Sequence, residues 1–190
     1  MRGSDMNKTT RRGFALGLGA TGLLAACGNG VGSDGGSRID ARVQSTLDHM
    51  YDRYPGTREL AAQSKGMLVM PLVTEVGLGL GGAYGRGALM VGRSVVDYYS
   101  ATSASAGLQI GAQQFSHVLF FMTERALGDF RRAPGWAAGA DVEYAVNDRG
   151  EMLRAETTTS LSPVIAVVFA QTGLRVGATL EGTKYSRIIP

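Results

Sequence analysis

From residue 39 onward the apolar positions Ile39, Val43, Leu47, Met50, Tyr51 and Tyr54 recur every three or four residues. That spacing puts them on one stripe of an α-helix. Arg38, Arg42, Asp48 and Asp52 fall on the other face. Ser37 is the expected cap, Asp40 favours the positive end of the helix, and Pro55-Gly56 stops it near Tyr54. Thr57 is expected to cap a second, short helix through Ala62.

The pattern then changes period. Met67-Leu68-Val69-Met70 is a short apolar run that reads as a buried strand ending at Pro71. Val95–Ala101 is rich in β-branched and aromatic residues. Leu108, Ile110 and Ala112 alternate with Gln109, Gly111 and Gln113, and Val118–Met122 is wholly apolar. Glu124–Arg132 reads as a helix capped by Thr123, with Ala126, Leu127 and Phe130 inward. Trp136–Val146 and Met152–Thr159 read as strands flanking the turn sequence Asn147-Asp148-Arg149-Gly150. Val164–Ala170, Leu174–Leu180 and Lys184–Ile189 complete the strands, with Gln171-Thr172-Gly173 as a further turn. Helices come first, strands follow, and no regular β-α-β alternation exists. The expected fold is α+β: N-terminal amphipathic helices packed on a mainly antiparallel sheet that is strongly curved or barrel-like.

Gly77, Gly79 and Gly82 match the dinucleotide-binding spacing G-x-G-x-x-G, with Asp97 near the place of a ribose-binding acid. The context excludes that chemistry. A helix must open at the third glycine, yet Ala-Tyr-Gly-Arg-Gly follows, and glycine disfavours a helix by about 1 kcal/mol per residue. Alternation explains the segment better. Val76, Leu78 and Leu80 point one way, Gly77, Gly79 and Gly81 the other, so one face is bare backbone open to close approach or sharp bending. Asp97 is then a strand residue, and no nucleotide is expected.

Charge adds a division of the chain. The 190 residues carry a formal net charge of +3, but Arg2, Lys8, Arg11 and Arg12 against Asp5 account for it. Residues 27–190 are neutral, which removes bulk support for nucleic-acid binding. The basic start precedes an apolar run, residues 14–26, too short to span a bilayer as a helix. Leu24-Ala25-Ala26-Cys27 resembles the lipobox of bacterial lipoproteins, in which Cys27 would be lipidated and the chain cut before it. Thr10-Arg11-Arg12-Gly13-Phe14 resembles a twin-arginine export signal, except that Ala15 stands where a larger apolar residue is usual. The expected organisation is a signal peptide over 1–26, a lipidated Cys27 with a Gly/Ser tether over 27–37, and a folded domain over 38–190. Cys27 is the one cysteine of the chain, so an internal disulfide and a Cys-based zinc site are excluded. Gly28 lacks the Asp linked with inner-membrane retention, which points to the outer membrane.

Catalytic patterns are sparse. His49 falls on the flank of the first helix and His117 begins an apolar strand. Neither lies in a His-Glu-x-x-His or nucleophile motif. Glu75, Asp97, Asp141 and Glu143 are scattered carboxylates from which nothing selects a pair. No cofactor or metal is implied.

The ordered segments carry a resemblance. Lys65–Pro71, then Gly77-x-Gly79-x-Gly81-Gly82-x-Tyr84-Gly85-x-Gly87, then Gly107–Gln113 and Leu180-Glu181-Gly182-Thr183-Lys184 resemble the SYLF domain over roughly residues 39–190. The resemblance implies lipid binding, phosphoinositides included, with actin binding in some fungal members and no enzyme activity. The expected partners are membrane phospholipids, anionic ones among them. A lipid site needs apolar surface together with cations. Arg38, Arg42, Arg53, Arg58 and Lys65, near the tethered end, are the candidate cations, although Asp40, Asp48, Asp52 and Glu59 also make them a solvated, balanced face. Lys184 and Arg187 are weaker candidates. The face of Gly77, Gly79 and Gly81 is the alternative, as a lipid groove. Two rival functions stand beside this one: an envelope structural or protein-interaction module, and a hydrolase whose site the sequence does not reveal.

Overall fold

A computed structural model of the chain describes residues 33–139, 142–144, 162–173 and 180–190. They form helices α1 (Gly35–Arg53), α2 (Thr57–Gln63) and α3 (Glu124–Arg132). The strands are β1 (Gly66–Val91), β2 (Ser94–Phe121), β3 (Trp136–Ala137), β4 (Val142–Tyr144), β5 (Val164–Gly173) and β6 (Lys184–Ile188). The α+β expectation holds: the helices pack on a strongly curved, mainly antiparallel sheet. Among the described strands, β4 with β5 is the parallel pair. Residues 1–32, the Asn147–Gly150 turn and the expected strand over Met152–Thr159 lie outside the described residues, as does all of Leu174–Leu180 except Leu180 itself.

The expected helices form with small shifts in their caps. α1 begins at Gly35, so Ser37 lies inside it, and its hydroxyl donates to the Asp34 carbonyl instead of capping. Its apolar stripe buries Ile39, Val43, Leu47 and Met50. Each such side chain contributes roughly 1.5–3 kcal/mol relative to exposure. Thr57 is the first residue of α2 and donates to the Tyr54 carbonyl. Thr123 caps α3 as expected, accepting the Ala126 amide at 3.1 Å. At the start of α1 the Ser33 hydroxyl donates to the Pro190 carbonyl at 3.0 Å, so the two ends of the described fold meet.

The strands are longer than the sequence suggests. β1 continues through Pro71, which sits at a register irregularity between Met70 and Val73, where its missing N–H interrupts no regular ladder. The three apolar runs expected between Val95 and Met122 are one 28-residue strand, β2, paired with β1 along its length. The link is a two-residue turn, Gly92-Arg93, with Gly92 at φ 60° in the position that type II′ turns give to glycine. The other edge of β2 is shared: its first part pairs with β6 (Tyr98↔Ile188 to Thr102↔Lys184) and its last part with β5 (Gln113↔Gly173 to Phe121↔Val164).

This long hairpin folds over. The first residues of β1 return alongside its last. A Cβ on Gly85 would lie 2.7 Å from the Leu72 carbonyl oxygen, and one on Gly87 would overlap the Val69 carbonyl oxygen. Only a residue without a side chain fits there. The corner of the fold is the glycine segment, which is strand throughout, so no helix opens at its third glycine.

Alternation divides the side chains into two layers. Met67, Val69, Ala88, Met90, Val118, Phe120, Ile165 and Val167 face α1 and α2 on the convex side. Leu68, Met70, Leu89, Leu119, Phe121, Ala166 and Val168 face the concave side. There Tyr99, Phe130, Trp136 and Tyr185 add an aromatic cluster, with Phe121 and Phe130 ring centroids 4.8 Å apart. Gln171-Thr172-Gly173 is the end of β5 rather than a turn. A register shift near Gln114/Ser116 leaves an extra residue in β5, and Ala170 takes φ 53°. That is the left-handed bulge position usually held by glycine.

Two stability outcomes follow. Gly87→Ala should cost about 3 kcal/mol or more in urea unfolding, since overpacking here pushes on backbone, whereas Gly139→Ala, whose Cβ would meet nothing within 4 Å, should change it by no more than about 0.5 kcal/mol. Ala170→Gly should raise stability by about 0.5–1 kcal/mol, because the left-handed strain removed exceeds the entropy that glycine adds to the unfolded chain.

Candidate functional site

α1 crosses the convex face and leaves the corner of the folded hairpin uncovered. The alternation that turns Ala88 and Met90 toward α1 turns Tyr84 and Arg86 outward on the same face. Tyr84, Gly85 and Arg86 meet Pro71, Leu72 and Thr74 across the fold-over. With Arg42 from α1 they line a cavity of about 200 Å³. Arg42 is the one expected cation that lines it.

The other cations are dispersed. Arg38 pairs with Asp34 at 2.6 Å. Arg53 lies over the Tyr54 ring, 5.8 Å from its centroid. Arg58 lies 4.8 Å from the Tyr51 ring centroid and 3.7 Å from Asp52. Lys65 is exposed beyond α2, its backbone amide bonded to the Phe121 carbonyl. Arg42 and Arg53 are eleven residues apart on one helix, about 16 Å at 1.5 Å per residue. The candidates therefore do not converge on a single phosphate. Gly77, Gly79 and Gly81 lie in the corner of the hairpin but do not line the cavity, whose glycine is Gly85. Cys27 lies outside the described residues.

Residues that the sequence reading passed over supply the rest of this surface. Leu72, Val76, Leu80 and Tyr84 are exposed. Thr74 lines the cavity, which places Val76, two residues on, on the same face. The alternation of Val76 with Leu80 was visible in the sequence; that it faces outward depends on where α1 ends its cover.

Of the expected carboxylates, Glu75 and Asp97 are held by different partners, and the side chains of Asp141 and Glu143 lie outside the described residues. Glu75 accepts from Gln113 Nε2 at 2.6 Å. Asp97 is a strand residue, as expected, lying 3.5 Å from Arg131 and 3.4 Å from Arg187. Lys184 and Arg187 belong to β6, with Lys184 paired opposite Thr102 and Arg187 opposite Tyr99. His49 is exposed, its ring stacked 6.1 Å from Phe169. His117 does not begin a strand. It lies inside β2, fully buried beside Phe115, with Nε2 2.8 Å from the Tyr185 hydroxyl. Its Nδ1 has no hydrogen-bond partner among the described residues. Burial lowers its pKa to about 3, so the ring is neutral in the fold.

The domain buries its sheet on both faces and exposes an apolar corner beside cations. Residues 102–187 match the family model Ysc84, described as Las17-binding protein actin regulator. The match is consistent with the resemblance to the SYLF domain and contains two of its segments, Gly107–Gln113 and Leu180–Lys184. The matched span starts inside β2 and leaves out α1, α2 and β1. The family is known for binding rather than for enzymes. No curated protein matches the chain. Among the described residues, no helix is long and apolar enough to cross a membrane.

His117 gives the fold an acid sensitivity of defined sign. Its folded pKa, about 3, lies below the ordinary 6.5. The unfolded chain therefore gains a proton below pH 6.5 that the fold refuses. Stability is complete above that pH and should fall by up to about 1.4 kcal/mol per unit toward pH 4. Urea midpoints measured from pH 7 to 4 should show this slope, and His117→Gln should flatten it.

Proposed function

We propose that the chain is a membrane-anchored, non-enzymatic lipid-binding protein of the bacterial envelope, held by lipidated Cys27, with the outer membrane as its site. The observation that carries this reading is the pairing of cation and apolar surface on the convex face: Arg42 and Arg86 beside Leu72 and Tyr84 around one cavity. Guanidinium groups suit lipid phosphates, and the adjoining apolar surface suits the acyl boundary. The family match and the lipobox-like Leu24–Cys27 add independent support. Phosphoinositide-like and other anionic headgroups are the ligand class that this chemistry favours.

Residues 28–190 contain every described element and both hydrophobic layers, and they lack the cysteine, so they test recognition apart from anchoring. This chain should float with liposomes in proportion to their anionic content, and high salt should weaken the binding. A basic residue near an anionic surface contributes about 1 kcal/mol, so Arg42→Glu should weaken binding roughly tenfold. Arg53→Glu, farther from the cavity, should have the smaller effect. Absence of flotation on every mixture would remove lipid recognition and favour an envelope scaffold instead.

A further inference from the structure

We propose that the folded-over corner of the β1–β2 hairpin is the membrane-docking element, inserting its apolar side chains into the headgroup–acyl boundary while Arg42 and Arg86 meet the phosphates. The inference rests on the lipid-binding reading above and names the surface and the mode of binding.

Exposure is the first argument. Leu80 is 78% exposed and Val76 54%, beside Tyr84 at 55% and Leu72 at 41%. Alternation puts these side chains on the convex face, outside the surface that the apolar stripe of α1 covers. They form a group rather than a scatter, since Leu72 and Tyr84 share one cavity and Val76 and Leu80 flank the bend between them. An unprotected apolar sheet surface is a liability that soluble proteins relieve with charges.

Charge is the second argument. Residues 76–85 contain no Asp, Glu, Lys or Arg, and neither do residues 98–121 on the partner strand, although such residues make up 18% of the chain. The segment from Val76 to Gly85 thus consists of apolar and uncharged residues, while Glu75 before it alternates to the other face and accepts from Gln113 Nε2 at 2.6 Å. Its nearest cations, Arg42 and Arg86, line the cavity at its base. Uncharged apolar tip and cationic base match the order of layers met by a protein approaching an anionic bilayer. The backbone helps as well. The ribbon is hydrogen-bonded strand on both sides of the bend, which spares most peptide groups the cost of losing water.

The test places a single fluorophore on residues 28–190, which carry no native cysteine. Leu80→Cys labels the corner. Val96→Cys labels the opposite end of the hairpin, beside the turn, at a position 40% exposed. On vesicles of phosphatidylcholine with phosphatidylglycerol, the label at position 80 should shift to the blue and be quenched by bromine on the acyl chains. The label at position 96 should do neither. Leu80→Asp should lower flotation at least fivefold with the folding transition unchanged. If the chain floats while the position 80 label stays in water, the proposal falls and the lipid-binding reading stands. If the chain does not float, both fall. A blue shift that appears with rising protein concentration in the absence of vesicles would also overturn the proposal, because a second copy would then be the occupant.

Discussion

The approach of strand β1 to its own beginning is the constraint on which the rest of the architecture depends. Val69, Leu72 and Val73 lie against Gly85 and Gly87 at distances that exclude a Cβ. Because the backbones can come that close, a hairpin of 26 and 28 residues folds into adjoining layers instead of extending as a ribbon. The doubling creates a sheet wide enough to curve, and curvature gives it two unlike faces. The convex face takes the α1 stripe. The concave face is filled by aromatic rings around Phe130 and Tyr185.

Much of this was legible where one principle dominated. The 3.6-residue stripe located α1 and its buried side chains, and Thr123 located the start of α3. Strand boundaries were less legible, because the residues that usually break strands here serve a bent one. Pro71 coincides with an irregularity of register, and Gln171-Thr172-Gly173 remains in a ladder with Gln113 and Gln114. Ser37 lost its capping role because the helix extends two glycines further toward Asp34. The apolar run beside His117 was legible, whereas the depth of that histidine inside the core was not. Its burial follows from the concave curvature, which no local pattern records.

The residue types around the candidate cavity were legible, but not their placement. A helix with cations and a segment of glycines were both visible, and the fold brings one member of the first set, Arg42, to the neighbourhood of the second. What joins them is the fold-over, a contact between residues about fifteen positions apart within one strand. Sequence periodicity is blind to such a contact. Gly85 and Gly87 were noticed as parts of a motif, whereas their physical reason is the backbone that passes over them.

The meeting of Ser33 with Pro190 bears on mechanics. A pull on the segment that precedes Ser33 enters the domain at a corner where the start of α1 touches the last residue and Tyr98, whose hydroxyl lies 3.1 Å from both Asp40 oxygens. Force applied there is directed first into the helix layer. It would peel α1 from the convex face one turn at a time, beginning with Ile39, before loading any strand ladder. The domain thus has a compliant side where Ser33 meets Pro190 and a stiff side in the doubled hairpin, so tension entering at Ser33 would reach the helix layer before the strands.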